Sequence, residues 1–143
     1  VGQDIKQLVE VGLKGDKGDQ GNPGTNGAPG ATTTVYDLLL FFGGVLGASE
    51  KLARIVADRA FTLPVDLAGS QAAIGINPDS TLTLTLLKNG ASIGTVTFST
   101  IGAPTITVAS STAFSVGDVF GVDAPASADA SGADISLAIK ATI

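Results

Sequence analysis

Histidine, cysteine, methionine and tryptophan are all missing from this chain of 143 residues. Without thiols there are no disulfides and no cysteine nucleophile. Without imidazoles there is no histidine acid–base chemistry, and the loss of both removes every Cys/His zinc site. Most familiar enzyme constellations are excluded, and no cofactor is expected. Positive charge is scarce as well: 8 Lys and Arg stand against 13 Asp and Glu, for a net charge of -5. Attraction to phosphate backbones or anionic membrane surfaces therefore drives no association, and nucleic acid is excluded as a partner. Long apolar runs are absent too. The longest candidate, Leu38–Phe42, stops at Gly43-Gly44, far short of the about 18 residues a bilayer span requires, so no membrane insertion is expected. Since Val1 comes first and no Met follows, either an initiator has been removed or the chain is part of a longer product.

What is abundant is glycine, and its placement is regular. Gly12, Gly15, Gly18, Gly21, Gly24, Gly27 and Gly30 fall at every third position without a slip. Flexible linkers scatter their glycines, whereas a collagen-like triple helix needs one at each crowded axial position. Residues 12–30 therefore predict a triple helix, and with it a homotrimer. At about 3 Å per residue the repeat would make a rod on the order of 55 Å long. Proline occupies only the third triplet place, at Pro23 and Pro29, so imino-acid stiffening is slight. Lys14 and Lys17 each precede a glycine that Asp16 or Asp19 follows, a spacing that predicts interchain ion pairs. Exposed pairs of this kind contribute about 0.2–1 kcal/mol each and set register more than stability. The mean hydropathy of +0.40 without a membrane span also points to apolar surface buried between subunits.

The repeat divides the chain into three parts. In residues 1–11, Val1, Ile5, Leu8 and Val11 recur at intervals of three and four, the stripe of a short helix that could attach the chain or form a brief coiled coil. Residues 31–143 carry β signals and are long enough to bury a core. Thr81–Lys88 alternates Thr with Leu, Asn89-Gly90 is the preferred centre of a type I′ turn, and alternation resumes over Ala91–Ser99, so this stretch predicts a hairpin. Further strands are expected at Val35–Phe42, ended by Gly43-Gly44, and at Gln71–Ile76, Pro104–Val108, Asp118–Ala124 and Asp134–Thr142. Ser49-Glu50 resembles a helix start, but Ile55-Val56 and Phe61-Thr62-Leu63 favour one extended segment from Lys51 to Thr62. Seven or eight short strands predict an all-β head, a jelly-roll-like sandwich.

Candidate chemistry is thin. Asp118, Asp123, Asp129 and Asp134 gather near the C terminus, but their spacing matches no EF-hand or nonapeptide pattern, so they read as solvated loop acids and no metal site is assigned. No pair of carboxylates is singled out by spacing for glycoside hydrolysis. Among the aromatics, Phe41, Phe42, Phe61, Phe98, Phe114 and Phe120 read mostly as core, and Tyr36 as the ring best placed to show a polar edge. Arg54 and Arg59 are expected to pair with Asp58, Asp66 or a neighbouring chain.

Several segments together resemble a known family. These are Tyr36-Asp37-Leu38, then Arg59-Ala60-Phe61-Thr62-Leu63-Pro64 followed by Leu67-Ala68-Gly69-Ser70, and Lys88-Asn89-Gly90-Ala91-Ser92-Ile93-Gly94-Thr95-Val96-Thr97-Phe98. Gly117-Asp118 and Ala124-Pro125-Ala126 continue the series. In this order they resemble the C-terminal β domain of tailed-bacteriophage virion proteins of the tail-fibre or head-fibre type, over most of Tyr36–Ile143. Collagen-like stretches ahead of a trimeric β head also occur in phage fibres. The resemblance implies a structural, non-enzymatic appendage on the phage particle surface. Its N-terminal segment would meet other virion proteins and its head the bacterial host, with surface glycan as the candidate ligand. It implies no catalytic residues. Two alternatives from other classes are a glycan-degrading tailspike and a bacterial surface collagen-like protein.

Overall fold

The computed structural model describes residues 17–25, 27, 30, 34–127 and 129–143. The chain separates into two units, Val1–Ala31 and Thr32–Ile143. In the first, the described residues form neither helix nor strand, and all are exposed. The N-terminal stripe of residues 1–11, Gly12, Gly15, Lys14 and Asp16 lie outside the described residues.

The second unit is all-β, built of two antiparallel sheets. The strands in chain order are β1 (Val35–Val45), β2 (Lys51–Val56), β3 (Phe61–Leu63), β4 (Gln71–Ile76), β5 (Leu82–Lys88), β6 (Ala91–Phe98), β7 (Pro104–Thr107), β8 (Thr112–Phe114), β9 (Val119–Asp123) and β10 (Ala133–Thr142). One sheet runs β1-β10-β3-β8, with β4 also paired to β10; the other runs β2-β9-β5-β6-β7. The pairings β1 with β10, β2 with β9, β3 with β8 and β5 with β6 are nested, outermost strands first.

Along one side of β10, β4 pairs over Ala133–Ala138 and β3 only at Thr142. In the gap, the Lys140 N–H donates to Ser70 Oγ at 2.8 Å, so the backbone donor is not orphaned where the ladder changes partner.

Period-two burial makes the core. Leu82, Leu84 and Leu86 of β5 and Ile135, Leu137 and Ile139 of β10 all point inward and are at most 2% exposed, each sheet supplying one wall. Between them Phe61 stacks on Phe114 with ring centroids 4.7 Å apart, and Phe114 meets Phe120 edge-on at 6.1 Å. Five of the six phenylalanines are buried, as the core reading requires; Phe41 is 66% exposed.

The expected hairpin is present. Asn89 and Gly90 have φ of 49° and 84°, the two positive values a type I′ turn demands. The register slips between Leu86 and Leu87, and a Cβ on Gly94 would collide with the Thr107 carbonyl oxygen, so this close approach of β7 admits only glycine.

Three expectations need correction. The single strand from Lys51 to Thr62 is two strands in different sheets, parted by Ala57–Ala60, because the chain must cross from one layer to the other. Strand β1 does not end at Gly43-Gly44 but runs on to Val45 through a register break, where the Gly44 N–H donates to Asp134 Oδ1 at 2.8 Å. Among the described residues ten strands replace seven or eight, since β3 and β8 are each three residues long, too short for alternation to register.

Candidate functional site

Most of the carboxylates are structural tethers. Asp129, expected to be solvated, is 8% exposed. Its Oδ1 accepts the N–H groups of Asp79, Ser131 and Gly132 and the Ser131 hydroxyl, at 2.8–3.2 Å. Its Oδ2 accepts the Ser80 N–H at 3.0 Å and hydroxyl at 2.9 Å. The Gly132 and Ser131 N–H groups, followed by those of Ser80, hold this carboxyl far below the usual carboxylate range. The group fastens the loop before β10 to the loop before β5. Sequence carried half of this: Asp129-Ala130-Ser131-Gly132 is the local pattern of a side chain bonding its own backbone a few residues on. Ser80 is too distant in the chain to be foreseen.

The other three acids serve separate places. Asp118 accepts Asn89 Nδ2 at 2.7 Å, the Ser115 N–H at 2.8 Å and Lys88 Nζ at 3.1 Å. These interactions, Asn89 first, lower its pKa to about 2. Asp123 pairs with Arg54 Nη2 at 2.6 Å, correcting the expected partners of that arginine; Gly121, whose added Cβ would lie 2.9 Å from Arg54 Nη1, leaves room for the guanidinium to cross β9. Asp134 accepts Gly44. Among the described residues, no group of three or more Asp or Glu could hold a metal ion.

Tyr36 shows the polar edge expected of it. Its hydroxyl donates to Asp58 Oδ1 at 3.2 Å, and its ring lies 5.2 Å from that of Phe61 and 5.6 Å from the Arg59 guanidinium. Arg59 Nε pairs with Asp58 at 3.4 Å, one of the partners anticipated. Loss of water around the phenol, then the Asp58 charge, raises the Tyr36 pKa, while Arg59 lowers that of Asp58. This cluster anchors the start of β1.

The outer faces of the two sheets differ in chemistry. On the β5-β6-β7 side, two rows of hydroxyls cross the strands in register, Thr83–Thr97–Thr105 and Thr85–Thr95–Thr107, with Thr83 and Thr97 Oγ1 atoms 3.1 Å apart. The β1-β10-β4 side is apolar. Its central rows are Leu39–Ala138–Gln71 and Phe41–Ser136–Ala73, with Asp37–Lys140 beside them; the large apolar residues stand on β1 and, Gln71 apart, small ones on β10 and β4. The difference in size leaves an open groove of about 460 Å³, with Leu39 75% and Phe41 66% exposed on its bank. Sequence reading placed Phe41 among the aromatics but could not say that it faces out.

In the repeat, Lys17 and Asp19 are exposed. Gly18, Gly21, Gly24, Gly27 and Gly30 share one property: a Cβ built on any of them meets nothing within 4 Å.

Compared with protein-family models, curated proteins and solved structures, the chain gives no significant match.

Proposed function

We propose that the chain is the subunit of a homotrimeric, non-enzymatic fibre on the surface of a phage particle. Residues 1–11 attach it to other virion proteins, residues 12–30 form a collagen-like triple-helical spacer, and the β head of residues 31–143 decorates the particle and adheres to the bacterial surface. The observation that carries this reading is the contrast between two sets of glycines. In the head, Gly94 is required by its own chain, whose backbone crowds the position a Cβ would take, and Gly44, Gly90 and Gly117 by their positive φ. In the repeat, the single chain leaves each described axial glycine in open space. Seven glycines in one register, the five described ones with no intrachain reason for them, point to crowding by other chains, as three wound strands supply.

The head supports the same reading. Nested antiparallel pairs wound into two sheets are the order of a jelly roll, an architecture that recurs in viral capsid and lectin domains. Asp118, Asp123, Asp129 and Asp134 are committed to tethers in different places, which favours a structural head over a glycan-cleaving one. Adhesion then rests on multivalency: three weak contacts on a stiff stalk gain avidity without a deep pocket.

Sedimentation of the full chain tests the assembly, and a trimer that shows a separate low-temperature transition by circular dichroism is expected. A monomer under native conditions overturns it. Antibody labelling of purified particles in the electron microscope tests the location, and particles that never label would remove the virion assignment.

A further inference from the structure

We infer that the apolar outer face of β1, β10 and β4 is where one head packs against a second copy of the chain, the Leu39–Phe41 ridge of each subunit seated against the small-residue groove of the next. The inference rests on the trimer reading above and adds the surface that forms it.

Among the described residues, four of the ten exposed large hydrophobics lie on β1: Val35, Leu39, Phe41 and Val45. Strand β1 is also the open edge of its sheet and is 11 residues long. A long apolar edge left uncovered is a template for unwanted pairing, which proteins avoid by covering it. The groove beside the ridge is floored by Ser136, Ala138 and Ala73, whose short side chains let a neighbouring subunit come close.

Chain connectivity identifies the occupant. Only five residue steps separate Gly30 from Val35, and fully extended chain covers at most about 3.6 Å per step, so about 18 Å. Three chains leaving one triple helix therefore begin their β1 strands within reach of one another, which makes a second copy of the chain the partner nearest to β1. A cyclic trimer uses unlike patches at each interface, and ridge and groove are such a pair. Asp37 on the ridge strand β1 and Lys140 on the groove strand β10 are register partners of opposite sign, so ridge-to-groove packing sets opposite charges, not like ones, on the two strands that meet. The threonine rows on the opposite face offer hydroxyls rather than apolar area and suit solvent or a polar ligand.

The test uses the cysteine-free full chain, into which single cysteines go without background. Phe41→Cys is compared with Thr100→Cys, a position in the exposed turn before β7, by rate of alkylation with a small maleimide. If the face is the interface, the thiol at position 41 reacts at least tenfold more slowly in the trimer, and the difference disappears in denaturant. Replacing both residues, Leu39→Ser with Phe41→Ser, should weaken the trimer at least tenfold by sedimentation while the head keeps its far-ultraviolet signature. Thr85→Ser, on the other face, should leave assembly unchanged. A trimeric wild-type chain in which position 41 alkylates as fast as position 100 overturns this surface and leaves the trimer standing. Protection that arises only when bacterial surface polysaccharide is added assigns the groove to a glycan instead. A monomeric wild-type chain removes both the trimer and this face.

Discussion

Ser80 gives both its backbone N–H and its hydroxyl to Asp129 Oδ2, at 3.0 and 2.9 Å, joining two loops that are 49 residues apart in the chain. A carboxylate so surrounded binds fewer protons in the folded state than in the unfolded one, where its pKa is about 3.9. The stabilisation it provides is therefore complete above that value and declines as the pH falls through the folded pKa. Asp118, lowered to about 2, adds in the same direction. Thermal melts of the head should be flat from neutral pH to about 5 and fall steadily from about 4 toward 2. Asp129→Asn should lower the melting temperature at pH 7 and flatten the acid limb. A melting temperature independent of pH between 5 and 2 would contradict the tether.

The ring stack of Phe61 on Phe114 makes a second, pH-independent prediction. Both rings are at most 3% exposed and join β3 to β8 at a register pair. Phe61→Ala should cost about 3–5 kcal/mol, because it removes buried area and leaves a cavity that the short strands cannot close. Urea unfolding followed by tyrosine fluorescence measures it, since Tyr36 packs on Phe61 and is the single tyrosine.

Two glycines of the β5–β6 hairpin should respond differently to alanine. Gly90 has φ of 84° with open space around its Cβ position, so Gly90→Ala should cost about 1–2 kcal/mol of backbone strain and leave the fold intact. Gly94 faces the Thr107 carbonyl and lies 2.6 Å from Val108 Cγ2 at its Cβ position. Gly94→Ala should therefore detach β7 and be the more destabilising of the two. Equal melting temperatures for the two variants would mean that β7 does not approach β6 this closely.

If residues 12–30 form the proposed triple helix, Gly21→Ala introduces three methyl groups at its axis and should lower the melting transition of the repeat while the head transition stays in place. The same change in an isolated chain meets nothing within 4 Å and would have no effect. An unchanged circular-dichroism melt is the result that excludes the triple helix.

The legible part of the head was written in short-range signals. Asn89-Gly90 fixed its hairpin because a type I′ turn needs positive φ at two adjacent residues, and the alternating Thr and Leu of β5 fixed which side faces the core. Strand β4 matched its expected bounds, Gln71–Ile76. The break inside Lys51–Thr62 was missed because Ile55, Val56 and Phe61 look alike as strand residues; Asp58 and Arg59, which turn the chain between sheets, gave the only hint. Strand β8 was invisible, since three residues cannot establish a period and Thr112–Phe114 exists through its pairing with β3.

The sequence by itself determined the glycine period, the absence of thiol and imidazole chemistry and the apolar alternation, because each depends on residue identity or on neighbours a few positions apart. Tertiary structure alone decided that Asp129 is buried and bonded, that Arg54 of β2 finds Asp123 on the neighbouring β9, and that Leu39 and Phe41 share an outer face with Ala138 and Ser136. These relations depend on which distant strands lie side by side, and pairing register is fixed only when the whole sandwich closes.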